Sequence, residues 1–551
     1  MLEKTMHTWF ATTRKLTLLA ATLAAAGLSS YTMAANVPAG TKLATTQVLN
    51  IEVGDNPASL DPNLVKETIG NQIVANLFEP LTTYDEHGKL IAGAAVSWSH
   101  SADYKTWTFK LRPEAKWSDG KPVTAHDFVL SWQRLLDPKT ASDYSYYLGD
   151  LGVSNAKEIS EGKVDKSKLG VRAVDDYTFE VTLATPVPWF LEATSLVVLS
   201  PVPSHLVKAN KWPDFKHFVS NGPYLLKAAT PNEKYTVVKN PKYWNANKTV
   251  ITEANFMVIR NSNDAYKRLQ AGDLDAMKLS TPALVKSVGN DKNFKLIQSP
   301  SSYSVWFAFG NNKAPFNNKH ARQAILYAID TKALQTKVFQ NTVQATSLFS
   351  SRALDGVNEN IKEAPYFNQS MEQRIAKAKV LLAGAGYNKE KPLQFQISYN
   401  TNEMYKLAAI AIQAQLKQVF GGAVVTTLVN SEWASFLANR HAGLYDFFRA
   451  GWGADYYEPS TFYGIWTTGN PINDGRFSNK EYDKLWKELY KTETTEQRFA
   501  LYQKMNDILT ADAAAVPLYS PLDTMAVKPT LNGITVDDNT RRLFNMYFTA
   551  K

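Results

Sequence analysis

Two periods of hydrophobicity alternate along the chain, and together they predict strands followed by helices. The clearest stretch lies between residues 391 and 455, where the pattern predicts five elements. They are strands over 392–399, 423–429 and 444–452 and helices over 403–420 and 432–441. The first helix should end at Gly421 and Gly422. Its expected apolar face carries Met404, Leu407, Ala411 and Ala414.

This order of strands and helices, with short connections, predicts a parallel sheet in an α/β protein. The segment 251–260 similarly reads as a strand that leads into a helix, with Asn263 or Asp264 as the cap and Gly272 as the end. The chain has no internal repeat and no low-complexity linker. We therefore expect lobes formed by interleaved segments.

The predicted sheet also points to a ligand site. In open α/β sheets, ligands bind beyond the carboxyl ends of the strands. Three loops follow the predicted strands, and they carry amide, aromatic and acidic groups. These loops span 400–405, 430–433 and 452–455. Because three strand ends deliver such groups to one edge, the pattern predicts a binding site there.

Composition describes a large, well-cored protein of two or three domains. The 551 residues are 44% hydrophobic and 12% aromatic. The formal net charge is +9, but the 60 basic and 51 acidic residues are interspersed. This mixture is typical of a solvated surface, so we expect no nucleic-acid partner.

Residues 1–34 have the features of a cleavable secretory signal. Basic residues, the last being Lys15, precede an apolar run over 16–28 and then a cleavage-like Thr32-Met33-Ala34. The run of 13 residues is shorter than the roughly 20 needed to span a bilayer. Without this segment the chain would begin at Ala35 and carry a charge of about +7.

The absence of cysteine narrows the chemistry further. The chain has no disulfide framework, no thiolate nucleophile and no cysteine that could carry a lipid. An exported protein without such an anchor would diffuse away from a cell with a single membrane. We therefore expect the periplasm of a bacterium with an outer membrane.

The run RAGWGADYYEP, residues 449–459, carries the strongest chemical signal. A carboxylate in an apolar cleft is costly to desolvate unless a cation meets it, so Asp455 suits an ammonium group. Trp433 and Trp452 could form apolar or cation–π walls around that group. A carboxylate could be received by arginines, here Arg440 and Arg449. The combination suits a zwitterion, although Asp455 could instead cap a turn and the tryptophans could be core.

A secreted hydrolase is the main rival class, with Asp455 and Glu458 as its acid–base pair. The sequence does not favour it, because it has no GxSxG, HExxH or P-loop motif. Its eight histidines include no pair at the helical spacing of metal ligands. We therefore expect no enzyme activity, no metal and no cofactor.

Several motifs resemble those of the periplasmic oligopeptide-binding proteins of solute-binding protein family 5. The resemblance covers essentially the whole chain after the signal, and the block 95–138, AVSWSHSADYKTWTFKLRPEAKWSDGKPVTAHDFVLSWQRLLDP, is its most specific part. The other motifs occur in the family order. They are SLDP at 59–62, NGPY at 221–224, NPKYWN at 240–245, APFNN at 314–318 and RAGWGADYYEPSTF at 449–462.

The resemblance implies a two-lobe periplasmic binding protein of type II, whose α/β lobes close on a ligand between them. Residues 35–78, about 204–302 and about 522–551 would form lobe I, 79–203 an inserted domain and 303–521 lobe II. The connecting strands would cross near Ser302 and Ser520. The implied function is capture of peptides of about two to five residues for the permease and ATPase of an ABC importer, by a monomeric receptor.

The resemblance also implies a set of peptide-binding residues. Asp455 would pair with the α-ammonium group, and Tyr144 would close the site from the inserted domain. The strand around 447–452 would hydrogen-bond the peptide main chain, and the arginines would meet its carboxyl terminus. The complete expected set is Lys66, Thr68, Tyr144, Asn400, Tyr405, Trp433, Arg440, Arg449, Gly451, Trp452, Gly453 and Asp455.

Three positions depart from the family pattern. Tyr405 stands where well-known members have a histidine, Lys66, followed by Glu67, where a glutamate is common, and Gly453 where a cysteine is found. We expect Tyr405 and Lys66 to alter specificity. Receptors of the same family for murein peptides, dipeptides, haem or nickel are alternatives, and murein peptides are the strongest of these.

Overall fold

The computed structural model describes residues 37–65, 68–213, 218–279, 281–354, 356–470, 472–492, 494–536 and 541–550. The expected signal and Lys66 lie outside the described residues. Within the described ranges, no helix is both long and apolar enough to cross a membrane.

Strands and helices alternate over most of the described chain. The strands are β1 Val48–Val53, β2 Thr82–Tyr84, β3 Leu90–Ala92, β4 Ala95–His100, β5 Thr106–Leu111, β6 Val171–Asp175, β7 Thr178–Thr182, β8 Tyr224–Thr230, β9 Lys234–Lys239, β10 Glu253–Val258, β11 Ala276–Lys278, β12 Lys295–Pro300, β13 Tyr303–Phe309, β14 Val343–Ala345, β15 Leu393–Asn400, β16 Val424–Ser431, β17 Phe447–Gly453, β18 Ala515–Val527, β19 Leu531–Asn532 and β20 Tyr547–Phe548. The helices are α1 Thr68–Leu77, α2 Ala125–Leu136, α3 Tyr147–Asp150, α4 Ala156–Ser160, α5 Phe190–Ala193, α6 Ser204–Lys208, α7 Ser262–Ala271, α8 Pro282–Gly289, α9 Lys319–Ala328, α10 Thr331–Ala333, α11 Val357–Asn360, α12 Met371–Gly384, α13 Glu403–Phe420, α14 Trp433–His441, α15 Ser460–Tyr463, α16 Lys480–Leu489 and α17 Thr495–Ala511.

The largest sheet has two halves that share β18. Its strand order is β16-β15-β17-β13-β18-β11-β1-β10-β9-β8, and β12 and β14 also pair with β18. β15 is parallel to both β16 and β17, so the predicted parallel arrangement is confirmed. This order brings the carboxyl ends of the three strands to one edge.

Two chain passages connect the halves. The first part of β18 pairs with β13, and its second part, from Leu522 onwards, pairs with β12. Ser301 and Ser302 separate β12 from β13, so this passage also runs from one half to the other. The connection between the halves therefore consists of two adjacent, antiparallel passages.

A smaller antiparallel sheet, in the order β4-β5-β7-β6, packs under α2. The tryptophans of this part of the chain are mostly core, since Trp107, Trp117 and Trp132 are at most 3% exposed. Trp98 is only partly buried against the same core.

Helix boundaries follow the caps, but two details differ from the sequence prediction. The cap of α7 is Asn261, whose side chain accepts hydrogen bonds from the next turn. The expected apolar face of α13 is correct in part, because Met404, Leu407 and Ala411 are half-buried against the core. Ala414 is exposed, and the fully buried residues include Ala408, Ile412 and Leu416. The small Ala side chains on several faces of α13 made the apolar period ambiguous.

Candidate functional site

Strand β17 presents an open edge. On one side it pairs with β13 along its full length, from Tyr303 opposite Gly453 to Phe309 opposite Phe447. On the other side, in the described part of the chain, it pairs with β15 only at Phe447 and Phe448. Main-chain groups beyond Phe448 on that side are therefore available to another extended chain.

Glycines permit β17 to pack closely against β13. A Cβ atom at Gly451 would lie 2.6 Å from the carbonyl oxygen of Ser304 and 2.7 Å from the hydroxyl of Tyr303. One at Gly453 would lie 3.3 Å from the Tyr303 ring. Gly451, Trp452 and Gly453 all remain partly exposed. Glycine thus keeps the end of the strand flat and accessible.

Asp455 follows this strand and has an unusual environment. Thr461 Oγ1 donates a hydrogen bond to its Oδ2 at 3.3 Å and accepts one from its main-chain N–H at 3.2 Å. Thr461 also accepts a hydrogen bond from Nε1 of Trp452, also at 3.2 Å, so one hydroxyl orients both residues. Within the described ranges, Asp455 forms no ion pair with a lysine, arginine or histidine.

Burial raises the pKa of Asp455 from its usual 3.8 to about 7. The hydrogen bond from Thr461 opposes this shift, whereas the charge of Asp150 adds to it. The ionised form is therefore costly in the unliganded protein, and a cation of matching geometry would stabilise it.

A cavity of about 170 Å³ adjoins Asp455. Its lining residues come from two stretches of the chain, 146–189 and 452–490. By the same measure a water molecule needs roughly 10–15 Å³, so this cavity has room for a side chain. Two smaller cavities lie nearby. The lining of one, of about 20 Å³, includes Trp452, and that of the other, of about 30 Å³, includes Asp455.

Tyr144 does not line this cavity, but it contacts two tyrosines that do. Its ring stacks on that of Tyr146, with centroids 5.9 Å apart, and meets Tyr147 edge-on at 6.1 Å. Burial, and then the charge of Asp455, raises the pKa of all three phenols above its usual value. The three tyrosines therefore lie close enough to Asp455 to interact with its charge.

Arg449 is enclosed by aromatic residues. It is 3% exposed, and its Nη2 donates hydrogen bonds of 2.5 Å to the hydroxyls of Tyr303 and Tyr405. The guanidinium carbon lies 3.8 Å from the centroid of the Tyr405 ring. Because side chains alternate along a strand, Arg449 and Trp452 project from opposite faces of β17. Arg449 is therefore separated from the Asp455 cavity.

Arg440 has a partner of its own. Its Nε lies 2.6 Å from Oδ2 of Asp474, a pair that is almost fully buried. His441 Nδ1 contacts the other oxygen of the same carboxylate, also at 2.6 Å. Sequence reasoning missed Asp474, because nothing in its local pattern indicates a contact with Arg440.

The other expected residues lie at varied positions. Asn400 is 8% exposed at the end of β15, and its Oδ1 has no hydrogen-bond partner among the described residues. Trp433 begins α14, is 48% exposed and stacks on Phe436. Thr68 is an exposed residue at the start of α1. None of the three lines the Asp455 cavity.

Glu458 is held in an internal network rather than facing Asp455. Its Oε1 accepts hydrogen bonds from Tyr502 at 2.6 Å and Arg498 at 3.3 Å, and its Oε2 accepts one from the main chain of Ser460 at 2.7 Å. The rival acid–base pair thus lacks a free second carboxylate. Among the described residues, no group of three acidic or histidine side chains could hold a metal ion.

Sequence reasoning also missed most of the cavity wall. Asp150, Trp189, Trp486 and Tyr490 line it together with Trp452, although they come from distant parts of the chain. A local pattern could have identified them as aromatic or acidic residues but not as neighbours.

Comparison with protein families gives a match over most of the chain. The family model described as bacterial extracellular solute-binding proteins, family 5 Middle, matches residues 89–474.

Similar proteins match nearly the full length. The periplasmic oligopeptide-binding protein OppA of Haemophilus influenzae is 37% identical over 95% of this chain and 97% of its own. The periplasmic murein peptide-binding protein MppA of Escherichia coli is 36% identical over 92% of this chain and 94% of its own. The crystal structure of Haemophilus influenzae OppA in complex with RPPGFSPFR has a TM-score of 0.77 and covers 92% of this chain and 100% of the other. The expected two-lobe architecture is thereby confirmed.

Proposed function

Because the chain belongs to the bacterial extracellular solute-binding proteins of family 5, we propose that it captures short peptides of about two to five residues in extended form. Each peptide is then delivered to the permease and ATPase of an ABC importer. The protein is a receptor that releases its ligand unchanged, not an enzyme.

The main support is the carboxylate of Asp455. It lies in an aromatic cavity without a cationic partner among the residues that the structure describes, and burial raises its pKa to about 7. An α-ammonium group supplies both the missing charge and hydrogen-bond donors. Every unmodified peptide has such a group, so this contact is independent of sequence.

The open edge of β17 supplies the second, equally general contact. Main-chain groups beyond Phe448 pair with an extended peptide as a further strand would. Gly451, Trp452 and Gly453 are partly exposed at this end of the strand. Asn400, Tyr405, Trp433, Arg440, Arg449, Lys66 and Thr68 remain candidates for contacts further along the peptide.

Closure of two lobes completes capture. We assign 35–78, about 204–302 and about 522–551 to lobe I, 79–203 to the inserted domain and 303–521 to lobe II. A peptide stabilises the closed form only if it contacts both sides of the cleft. The cavity meets this condition, because its lining includes Tyr147 and Trp189 from the inserted domain and Asp455 from lobe II.

The proposed location is the periplasm. It is supported by the signal-like segment 1–34 and by relatives whose names describe them as periplasmic. We propose that this segment directs export and is then cleaved. The remaining chain would diffuse in the periplasm without a lipid anchor.

A murein-peptide receptor is the second candidate, because the murein peptide-binding protein MppA is 36% identical to this chain. Calorimetry with trilysine, tetralysine and a murein tripeptide separates the two. Binding of the murein ligand alone would contradict a general peptide receptor.

The role of Asp455 is tested by titrating the purified protein with trialanine and N-acetyl-trialanine. Free trialanine should bind, and acetylation should weaken it by several kcal/mol, because a buried charge then lacks its partner. Asp455→Ala should weaken trialanine to a similar extent. Equal affinity of wild type for both peptides would remove Asp455 from this role.

A further inference from the structure

The cavity beside Asp455 contains a second carboxylate. Asp150, the last residue of the short helix α3, lines it from the inserted domain. Within the described ranges, Asp150 forms no ion pair and its carboxylate accepts no hydrogen bond. Lys157 lies close enough to lower its pKa, but it is not part of the cavity lining.

The ionisable groups of the cavity are acidic. Its described lining includes Asp150 and Asp455 and no lysine, arginine or histidine. Burial raises the pKa of Asp150 to about 6, which is consistent with a charge that lacks compensation. One α-ammonium group would neutralise only one of these two carboxylates.

Aromatic rings form much of the remaining wall. Trp189, from the inserted domain, lies 5.7 Å from Trp486 and 5.4 Å from Tyr490, centroid to centroid. The other aromatic residues of the lining are Tyr146, Tyr147, Trp452 and Tyr456. Such walls accommodate an alkyl chain and attract a cation at its end.

The size of the cavity fits the same ligand. Of the two cavities that include Asp455, only the one lined by Asp150 is large, at about 170 Å³ against about 30 Å³. The side chain and the α-ammonium group of the first peptide residue are bonded to the same α-carbon. It must therefore enter the space next to Asp455.

We propose that Asp150 is a specificity-determining residue, which selects peptides whose first residue has a basic side chain. Asp150 receives the side-chain ammonium or guanidinium group, while Asp455 receives the α-ammonium group. The aromatic walls hold the alkyl part between them. This inference rests on the proposed function and narrows its substrate class.

The test compares Lys-Ala-Ala with norleucine-Ala-Ala, which has the same alkyl chain without the charge. Calorimetry on the purified protein should give about tenfold tighter binding of the lysine peptide, as expected for one charge-assisted hydrogen bond. Asp150→Asn should reduce this ratio to about twofold or less. Asp143→Asn removes the same charge from an exposed position outside the cavity and should preserve the ratio.

Two further ligands define the position and the ligand class. Ala-Lys-Ala should lose the advantage, because its charge lies one residue too far along. Cadaverine, a diamine without a peptide backbone, should bind far more weakly than Lys-Ala-Ala.

Equal binding of the lysine and norleucine peptides would overturn the inference and leave the peptide receptor intact. A preserved ratio in Asp150→Asn would also overturn it. If cadaverine bound as tightly as Lys-Ala-Ala, the assignment of this cavity to the first residue of a peptide would be refuted. Failure of all these peptides to bind would instead refute the proposed function.

Discussion

Replacement of Asp455 by asparagine should make the unliganded protein more stable while it weakens peptide binding. The pKa of Asp455 is about 7 in the folded protein, against 3.8 for its ordinary value. Each unit of this difference corresponds to about 1.4 kcal/mol, so the ionised carboxylate costs roughly 4 kcal/mol. Partial access of water to the cavity reduces this to roughly 2–4 kcal/mol. Asparagine has no charge to desolvate and avoids that cost.

The size of the effect depends on pH. Below pH 3.8 the carboxyl is protonated in both the folded and the unfolded chain, so its ionisation contributes nothing. Between pH 3.8 and about 7 the folded protein retains a proton that the unfolded chain has released. The contribution of Asp455 to folding stability therefore declines as pH rises through this window. Above pH 7 the full cost applies.

Thermal unfolding of wild type and Asp455→Asn at pH 4, 6 and 8 measures this difference. The two midpoints should approach each other at pH 4, and that of the variant should be several degrees higher at pH 8. Asp143→Asn is the control for loss of one exposed negative charge. A constant difference between pH 4 and pH 8, or a less stable variant at pH 8, would refute the assigned cost of the buried charge.

Two further predictions concern the strand and the arginines. Gly451→Ala should destabilise the protein by about 1–3 kcal/mol in denaturant unfolding, because its Cβ would lie 2.6 Å from a carbonyl oxygen. Gly422→Ala, with open space around the added atom, should be neutral, and equal effects would contradict this account. Trialanine amide should bind within about threefold of trialanine in calorimetry, because Asp474 already neutralises Arg440 and tyrosines enclose Arg449. A loss above about tenfold would indicate a charged contact with the carboxyl end.

Local patterns predicted the parts of the fold that depend on neighbours in sequence. The bounds of α13 agree with the predicted 403–420, because Asn402 caps its start and Gly421 follows its end. The parallel order of β15, β16 and β17 followed from short helical connections. The predicted apolar face of α13 was wrong at Ala414, which is exposed, although the other three residues pack against the core. Which residues are fully buried depends on packing against the sheet and not on the apolar period alone.

In the candidate site, too, some residues could be predicted from their neighbours in sequence and others could not. The apolar strand and the following acid identified Asp455 from adjacent residues, and its environment agrees with a cost of ionisation. Asp150 could not be found, because α3 has only four residues and thus no measurable period. Its relation to Asp455 arises from tertiary structure across some 300 residues of chain. Similarly, the pairing of Arg440 with Asp474 depends on how two loops meet.

The unpaired side of β17 has a consequence for solubility. An exposed strand edge invites edge-to-edge aggregation with other copies of the same protein. Here Trp452 of the same strand lines a cavity together with Tyr146 and Trp189, and we expect this recess to hinder the approach of another folded domain. A single extended strand is thin enough to enter. We therefore expect the recess to admit an extended ligand more readily than a second copy of the protein.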